Sequence, residues 1–221
     1  MVRKLKFRSF EPKSGTAKSL VVLLHGYGAD GADLLGLSNF LSPILPDTAF
    51  LAPDAPEQCR SNPFGRQWFP IPWIDDSDPA ELAKSFDASN RDLNGFIDDA
   101  LDQSNLSPRN VGLLGFSQGT MLALSVTPLR SEPVACVVGF SGRLISDAPL
   151  KSGKIVRPPI FLAHGDRDEL VPPSSLKDSG EMLIRAGFEV EMHLSRGFGH
   201  EIAPDELQKA GEFMAKRLHS A

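Results

Sequence analysis

The feature that most constrains this chain is a series of short, continuously apolar segments separated by amphipathic stretches. Residues 19–24 read Ser-Leu-Val-Val-Leu-Leu, apolar at successive positions rather than at alternate ones. A strand of that kind buries both faces, as inside a parallel sheet with helices packed above and below. Comparable runs recur at 48–53, 111–114, 134–140 and 160–163, while 188–194 alternates more and belongs nearer an edge. Residues 5–10 alternate basic and apolar side chains, the pattern of a half-exposed N-terminal strand. Helical patterns lie between the runs. Within 80–102, Leu82, Phe86, Leu93, Phe96, Ile97, Ala100 and Leu101 fall mostly at three- and four-residue steps. A helical stretch is expected over 32–41, and another around Met121, Leu122 and Leu124 that stops before Pro128. Residues 176–186 should end at Gly187 as a left-handed cap, and a last helix should begin at Pro204 with Asp205 and Glu206 in its first turn. Strand and helix alternating at this rhythm predict an α/β fold, a mostly parallel central sheet with helices on both faces. The 221 residues suffice for one sizeable core, so a single domain over 1–221 is expected.

Composition narrows the partners. A formal net charge of −5 with no long basic stretch argues against nucleic acid or an anionic membrane. No run approaches the roughly 18 apolar residues of a membrane span, and residues 1–10 lack the apolar core of a secretory signal. A cytoplasmic setting without stable membrane insertion is the expectation. Cys136 lies in the apolar run Val134-Ala135-Cys136-Val137-Val138, so it reads as a core residue and not as half of a bridge to Cys59.

The chemistry begins at Gly115-Phe116-Ser117-Gln118-Gly119, which fits G-x-S-x-G between a strand and a helix. A serine on so sharp a turn projects its hydroxyl outward, and glycines at 115 and 119 let neighbouring backbone approach. The same turn aims the N–H of Gln118 at a substrate carbonyl. The near copy Gly139-Phe140-Ser141-Gly142-Arg143 lacks the last glycine and a comparable apolar helix, which makes Ser141 structural or pocket-lining.

A serine needs a base to take its proton, commonly a histidine oriented by a carboxylate. His219 is in the terminal tail and His193 sits in a strand-like segment, while His25 and His164 end strands at His-Gly steps and read as braces for loop backbone. His200, in Gly197-Phe198-Gly199-His200 before the last helix, fits the chain order serine, acid, histidine. The acid lies in His164-Gly165-Asp166-Arg167-Asp168, where Asp166 and Asp168 compete. Asp166 has the look of a turn residue tied to its own backbone, whereas Asp168 reaches further over the sheet edge.

The connection 54–79 is long, proline-stiffened and aromatic. It carries Phe64, Trp68, Phe69 and Trp73, read as substrate-binding, with Trp68 and Phe69 forming the apolar surface of an acyl-binding wall. The alternative is that these rings cap the core beneath the loop. Gly26-Tyr27-Gly28-Ala29-Asp30-Gly31 also fits the dinucleotide fingerprint G-x-G-x-x-G, with Asp54 ending the next strand. A nucleotide-binding oxidoreductase is thus a rival reading. Against it, Tyr27 is the one tyrosine, so no Tyr-x-x-x-Lys pair exists. A non-catalytic binding protein on a hydrolase fold is a second rival, although such proteins usually lack a triad member. No His-Glu-x-x-His or paired-cysteine spacing occurs, so neither metal nor cofactor is expected.

Taken together, Leu23-Leu24-His25-Gly26-Tyr27-Gly28, the serine pentapeptide, His164-Gly165-Asp166-Arg167-Asp168 with Val171-Pro172, and Gly199-His200 resemble the carboxylesterase, phospholipase and acyl-protein thioesterase family of compact α/β-hydrolases. The resemblance covers nearly the whole chain. It implies an α/β-hydrolase fold without a large lid domain, a Ser117–Asp168–His200 triad, and an oxyanion hole from the backbone N–H groups of Tyr27 and Gln118. It implies hydrolysis of short- to medium-chain carboxylic esters, with lysophospholipids and acyl thioesters as further substrates, and carries over a homodimer as an expectation. Family members commonly have leucine where Tyr27 stands, a departure that bears on substrate preference.

Overall fold

A computed structural model describes residues 2–151 and 153–218. The order of elements is β1 (Phe7–Phe10), β2 (Ser19–Leu24), α1 (Gly31–Leu35), α2 (Ser38–Leu41), β3 (Thr48–Pro53), β4 (Glu57–Gln58), β5 (Arg66–Gln67), α3 (Pro72–Asp75), α4 (Pro79–Ser104), β6 (Val111–Phe116), α5 (Gln118–Val126), β7 (Cys136–Phe140), β8 (Ile160–Gly165), α6 (Ser174–Arg185), β9 (Val190–Ser195) and α7 (Pro204–Leu218). Seven strands form one sheet in the order β1-β3-β2-β6-β7-β8-β9. Only β1 runs antiparallel, paired with β3; the other pairings are parallel. This is the α/β-hydrolase fold, and the described residues contain no lid domain.

The apolar runs become buried strands because each strand feeds two cores. Leu20, Val22 and Leu24 face a cluster with Leu93, Phe96 and Ile97 of α4, Leu122 of α5 and Leu183 of α6. Val21 and Leu23 face the opposite cluster with Leu34, Leu41, Phe213 and Met214. Side chains two apart share a face, so the five successive apolar residues 20–24 supply both layers. The strand β9 is outermost and half-exposed, in keeping with its alternating sequence.

Several boundaries differ from expectation for local reasons. The helical stretch over 32–41 is two short helices, with Gly36 and Leu37 between them. After α5 the chain tightens into a 3-10 turn over Thr127–Leu129, so Pro128 sits inside that turn. The connection 54–79 is not bare loop: it contains the β4–β5 hairpin and the turn α3. Gly187 has φ of +87°, the expected left-handed cap, and Pro204 opens α7. Cys59 and Cys136 are both free thiols. No described helix is long and apolar enough to cross a membrane. His219 lies outside the described residues.

The topology fixes where a site can form. From β2 the chain moves outward to β3, then returns to place β6 on the other side of β2. Such a reversal opens a crevice beyond the carboxyl ends of the two central strands. Leu24 of β2 pairs with Gly115 of β6, so the segments leaving these strands begin side by side.

Candidate active site

Those two segments carry Tyr27 and Ser117. Ser117 joins β6 to α5 with φ of +53°, a region L-residues rarely enter. Its N–H bonds the carbonyl of Phe140 at 2.9 Å, and 8 % of the residue is exposed. The flanking glycines are obligatory. A β-carbon at Gly115 would lie 2.3 Å from the Gly119 carbonyl carbon, and one at Gly119 would lie 1.9 Å from the Leu24 oxygen. Gly26 packs against the serine, since a β-carbon there would be 3.4 Å from Ser117 Cβ.

Asp168 and His200 meet across two loops. The carboxylate Oδ2 lies 2.8 Å from His200 Nδ1, and Oδ1 accepts the N–H groups of Leu170 and Val171 at 2.9 and 2.8 Å. An ionised carboxylate only accepts, so Nδ1 carries the hydrogen and Nε2 is left as the acceptor. The His200 ring also packs on Phe116, centroid to centroid at 4.9 Å, which sets it beside the serine turn. Asp166 instead accepts the Gly197 N–H at 2.6 Å, tying the turn after β8 to the loop that bears His200. Gly165 permits the close approach: a β-carbon there would sit 2.4 Å from the Phe198 oxygen. The two competing aspartates thus separate by geometry, one on the imidazole and one on backbone.

The N–H of Gln118 is the first in α5 and has no intrahelical acceptor. The N–H of Tyr27 has no hydrogen-bond acceptor among the described residues. The two lie on the adjoining segments that leave β2 and β6. The Tyr27 phenol is engaged elsewhere, donating to Asp75 Oδ2 at 2.9 Å and meeting Ser61 Oγ at 3.1 Å. Burial, joined by Cys59 and Asp75, pushes this phenol up to about 12. Asp75 is drawn the other way: partial burial opposes its ionisation, yet bonds from Ser77, the Ile71 N–H and Tyr27 hold it below the usual carboxylate range.

The side chain of Gln118 was not anticipated. It is fully buried, accepting the Trp68 N–H at 3.1 Å and donating to the Phe69 carbonyl at 2.7 Å. The long connection is therefore pinned to the residue after the serine. Trp68 is completely buried and Phe69 nearly so, with the Trp68 indole N–H bonded to the His25 carbonyl at 2.9 Å. This corrects the expected acyl-binding wall. Neither ring offers surface to a ligand, and both cap the core beneath the loop. The exposed aromatics of the connection are Phe64, 91 % exposed at the hairpin tip, and Trp73, 65 % exposed, over which Arg143 lies at 5.8 Å.

Both strand-end histidines are braces. His25 is buried, its Nε2 accepting the Ala55 N–H at 2.9 Å and its Nδ1 facing the Gly26 carbonyl at 2.7 Å. Burial lowers its pKa from the usual 6.5, and an Nε2 that accepts the Ala55 N–H carries no hydrogen. His164 Nε2 lies 2.9 Å from the Val171 carbonyl and 3.1 Å from Asp168 Oδ2. Ser141 is buried at φ of +45°, its N–H on the Ala163 carbonyl, a structural position.

The glycine-rich 26–31 segment is poorly shaped for a dinucleotide. Gly65 of the hairpin packs so closely that a β-carbon would lie 2.0 Å from the Gly28 oxygen. The amino end of α1 is capped by the Asp30 carboxylate, which accepts from Ala32 and Asp33 where a phosphate would need to bind. Among the described residues no group of three or more His, Cys, Asp or Glu side chains is arranged around a metal position. A cavity of about 580 Å³ lies under β1 and α4, lined by Leu5, Phe7, Leu20, Leu51 and Phe96, and none of Ser117, Asp168 and His200 lines it.

Sheet order and the strained serine turn define an α/β-hydrolase fold, with the His200–Asp168 pair packed on the residue before that serine. Residues 7–218 match the phospholipase/carboxylesterase family, and the chain belongs to this family of carboxylic ester hydrolases. It is 38 % identical to esterase PE8, whose crystal structure superposes with a TM-score of 0.92 over 98 % of this chain and 100 % of that one. Among curated proteins it is similar to acyl-protein thioesterase 1 of Kluyveromyces lactis, 29 % identical over 93 % of this chain and 95 % of the relative. It is also similar to esterase YpfH of Escherichia coli, 28 % identical over 88 % and 81 % respectively.

Proposed function

We propose that this one-domain enzyme hydrolyses carboxylic esters by a two-step acyl transfer in which Ser117 is the nucleophile, His200 the base and Asp168 the orienting acid. The observation that carries the reading is the 2.8 Å contact of His200 Nδ1 with Asp168, set beside a serine strained at φ of +53°. Ser117 Oγ attacks the ester carbonyl as His200 Nε2 takes its proton, and Asp168 stabilises the imidazolium that forms. The N–H groups of Tyr27 and Gln118 donate to the developing oxyanion. His200 then protonates the leaving alcohol. Water, activated by the same imidazole, attacks the acyl-serine, and the acid departs with Ser117 regenerated.

The substrates proposed are small esters of short to medium acyl chains, with acyl thioesters and lysophospholipids as wider candidates. Similarity to an acyl-protein thioesterase and to esterases supports that range. Trp73 and Phe64 remain proposed substrate contacts because they are the exposed aromatics of the connection. A cytoplasmic setting and a homodimer are kept as parts of the proposal, to be read by cell fractionation and by light scattering.

The test is labelling by a fluorophosphonate, which reacts only with an activated serine. The wild-type protein should label and turn over p-nitrophenyl butyrate. Ser117→Ala should lose both, with kcat down by about 10⁶. Near-normal turnover by folded Ser117→Ala would sink the assignment.

A further inference from the structure

The α3 turn, Pro72–Asp75, buries none of its own side chains. Hydrophobic packing of those side chains therefore does not set where it lies. The Asp75 carboxylate has that task. Oδ2 accepts the Ile71 N–H at 3.0 Å and Oδ1 accepts the Ser77 N–H at 3.1 Å, which closes the turn on itself. Among the described residues, its one bond from elsewhere in the chain comes from Tyr27, whose hydroxyl donates to Oδ2 at 2.9 Å. A second tie leaves from Trp73, whose exposed ring lies beneath the Arg143 guanidinium at 5.8 Å.

Both ties end on segments that flank the serine. Tyr27 follows β2 and Arg143 follows β7, the strands on either side of β6, and Ser117 leaves β6 between them. Those two strands are roughly 10 Å apart, a gap that a tyrosine and an arginine side chain can close from its two sides. Just before the turn, Trp68 and Phe69 are pinned to the side chain of Gln118, one residue past the serine. Gly142, beside Arg143, packs on the serine turn itself, since a β-carbon there would lie 2.9 Å from the Ser117 oxygen. A turn held from β2 and from β7 crosses the carboxyl end of β6. Trp73 is thereby carried to the rim of the serine crevice. Asp75 is ionised at neutral pH, and a hydrogen bond to a charged acceptor is stronger than one between neutral groups. Phenylalanine at 27 would fill the same space and leave the turn without this bond.

We propose that Tyr27 is a positioning residue that sets substrate preference: its hydroxyl, through Asp75, fixes the α3 turn so that Trp73 stands as an apolar wall along the acyl chain of the ester. The proposal rests on the reading of Ser117 as nucleophile and of Trp73 as a substrate contact. It assigns the hydroxyl no contact with substrate and no proton transfer.

The test is the ratio of kcat/KM on p-nitrophenyl octanoate to that on the acetate. Tyr27→Phe should lower this ratio about tenfold, what burial of about two methylenes gains, with the fall carried by KM for octanoate and not by kcat. Trp73→Ala should lower it at least as much. In a Trp73→Ala background, Tyr27→Phe should lower it no further, because the ring that it positions is gone. Asp75→Ala breaks the tie from the other side, should lower the ratio at least as far, and stands in if Tyr27→Phe does not fold. Losses that multiply in the double variant, or equal falls on acetate and octanoate, would make the hydroxyl a general structural bond and overturn the proposal. If Trp73→Ala lowers the ratio and Tyr27→Phe does not, the tie fails and the wall stands. If neither lowers it, both fail, while fluorophosphonate labelling at Ser117 still upholds the nucleophile. Near-normal turnover by folded Ser117→Ala would remove the reading on which the tie rests.

Discussion

Trp68→Ala discriminates sharply between a core residue and a substrate contact. The ring is completely buried, its indole N–H bonded to the His25 carbonyl and its backbone N–H to Gln118. Removing a buried tryptophan side chain typically destabilises a domain by about 3–5 kcal/mol. The upper part of that range applies here, because the His25 carbonyl loses its donor as well as the ring its contacts. At about 2–4 °C per kcal/mol for a chain of this size, the melting temperature should fall by about 8–20 °C. Calorimetry at fixed pH measures that. A series of p-nitrophenyl esters from acetate to octanoate should meanwhile give a chain-length profile parallel to wild type. An unchanged melting temperature would refute the reasoning if it came with a deficit growing by up to about 0.8 kcal/mol per methylene. That result would mean the ring faces the acyl chain.

Three other outcomes follow from the geometry. Asp168→Asn should lower kcat by about 10⁴ by presenting the wrong tautomer of His200, whereas Asp166→Asn keeps an oxygen that can accept the Gly197 N–H and should stay within about tenfold; kinetics with the reverse order would make Asp166 the acid. Tyr27→Ala should keep kcat on an acetate ester within about tenfold, because the proposed donor is backbone, and a fall of about 10²–10³ with the backbone unmoved would assign the role to the phenol. Burial pushes Glu206 up to about 7 from 4.5. The folded protein therefore holds a proton that the unfolded chain releases between those values, and stability falls as pH rises through that window. Glu206→Gln, which can still accept from the Ala203 N–H, should raise the melting temperature above pH 7 with a gain that vanishes toward pH 4.5. A gain independent of pH would mean burial does not perturb this carboxyl.

Local pattern made much of this legible. Five consecutive apolar residues at 20–24 require two covered faces, and the serine pentapeptide between an apolar strand and an apolar helix requires a sharp turn. Pro204 and Gly187 acted where their backbone chemistry said they would. What the sequence hid was non-local. Aromatic composition alone cannot tell whether Trp68 faces a ligand or the core; the Trp68 N–H bond to Gln118, 50 residues away, and the indole bond to the His25 carbonyl, 43 residues away, decide it. Asp166 and Asp168 are chemically alike and two positions apart, and only the loop packed over them, bearing Gly197 and His200, distinguishes them. His164 was legible as a brace for backbone, and its Val171 contact is one.

The strained turn at Ser117 carries a consequence for how such a protein changes over generations. A non-glycine residue held at positive φ carries strain on the order of 1–3 kcal/mol. Gly115 and Gly119 cannot relieve it by moving, since neither position admits a β-carbon. The substitution that removes the strain outright is glycine at 117, and it removes the hydroxyl too. Heat tolerance and turnover therefore pull in opposite directions at a single codon. If Ser117 is the nucleophile proposed above, a lineage selected for robustness alone would drift toward a sturdier, inert protein.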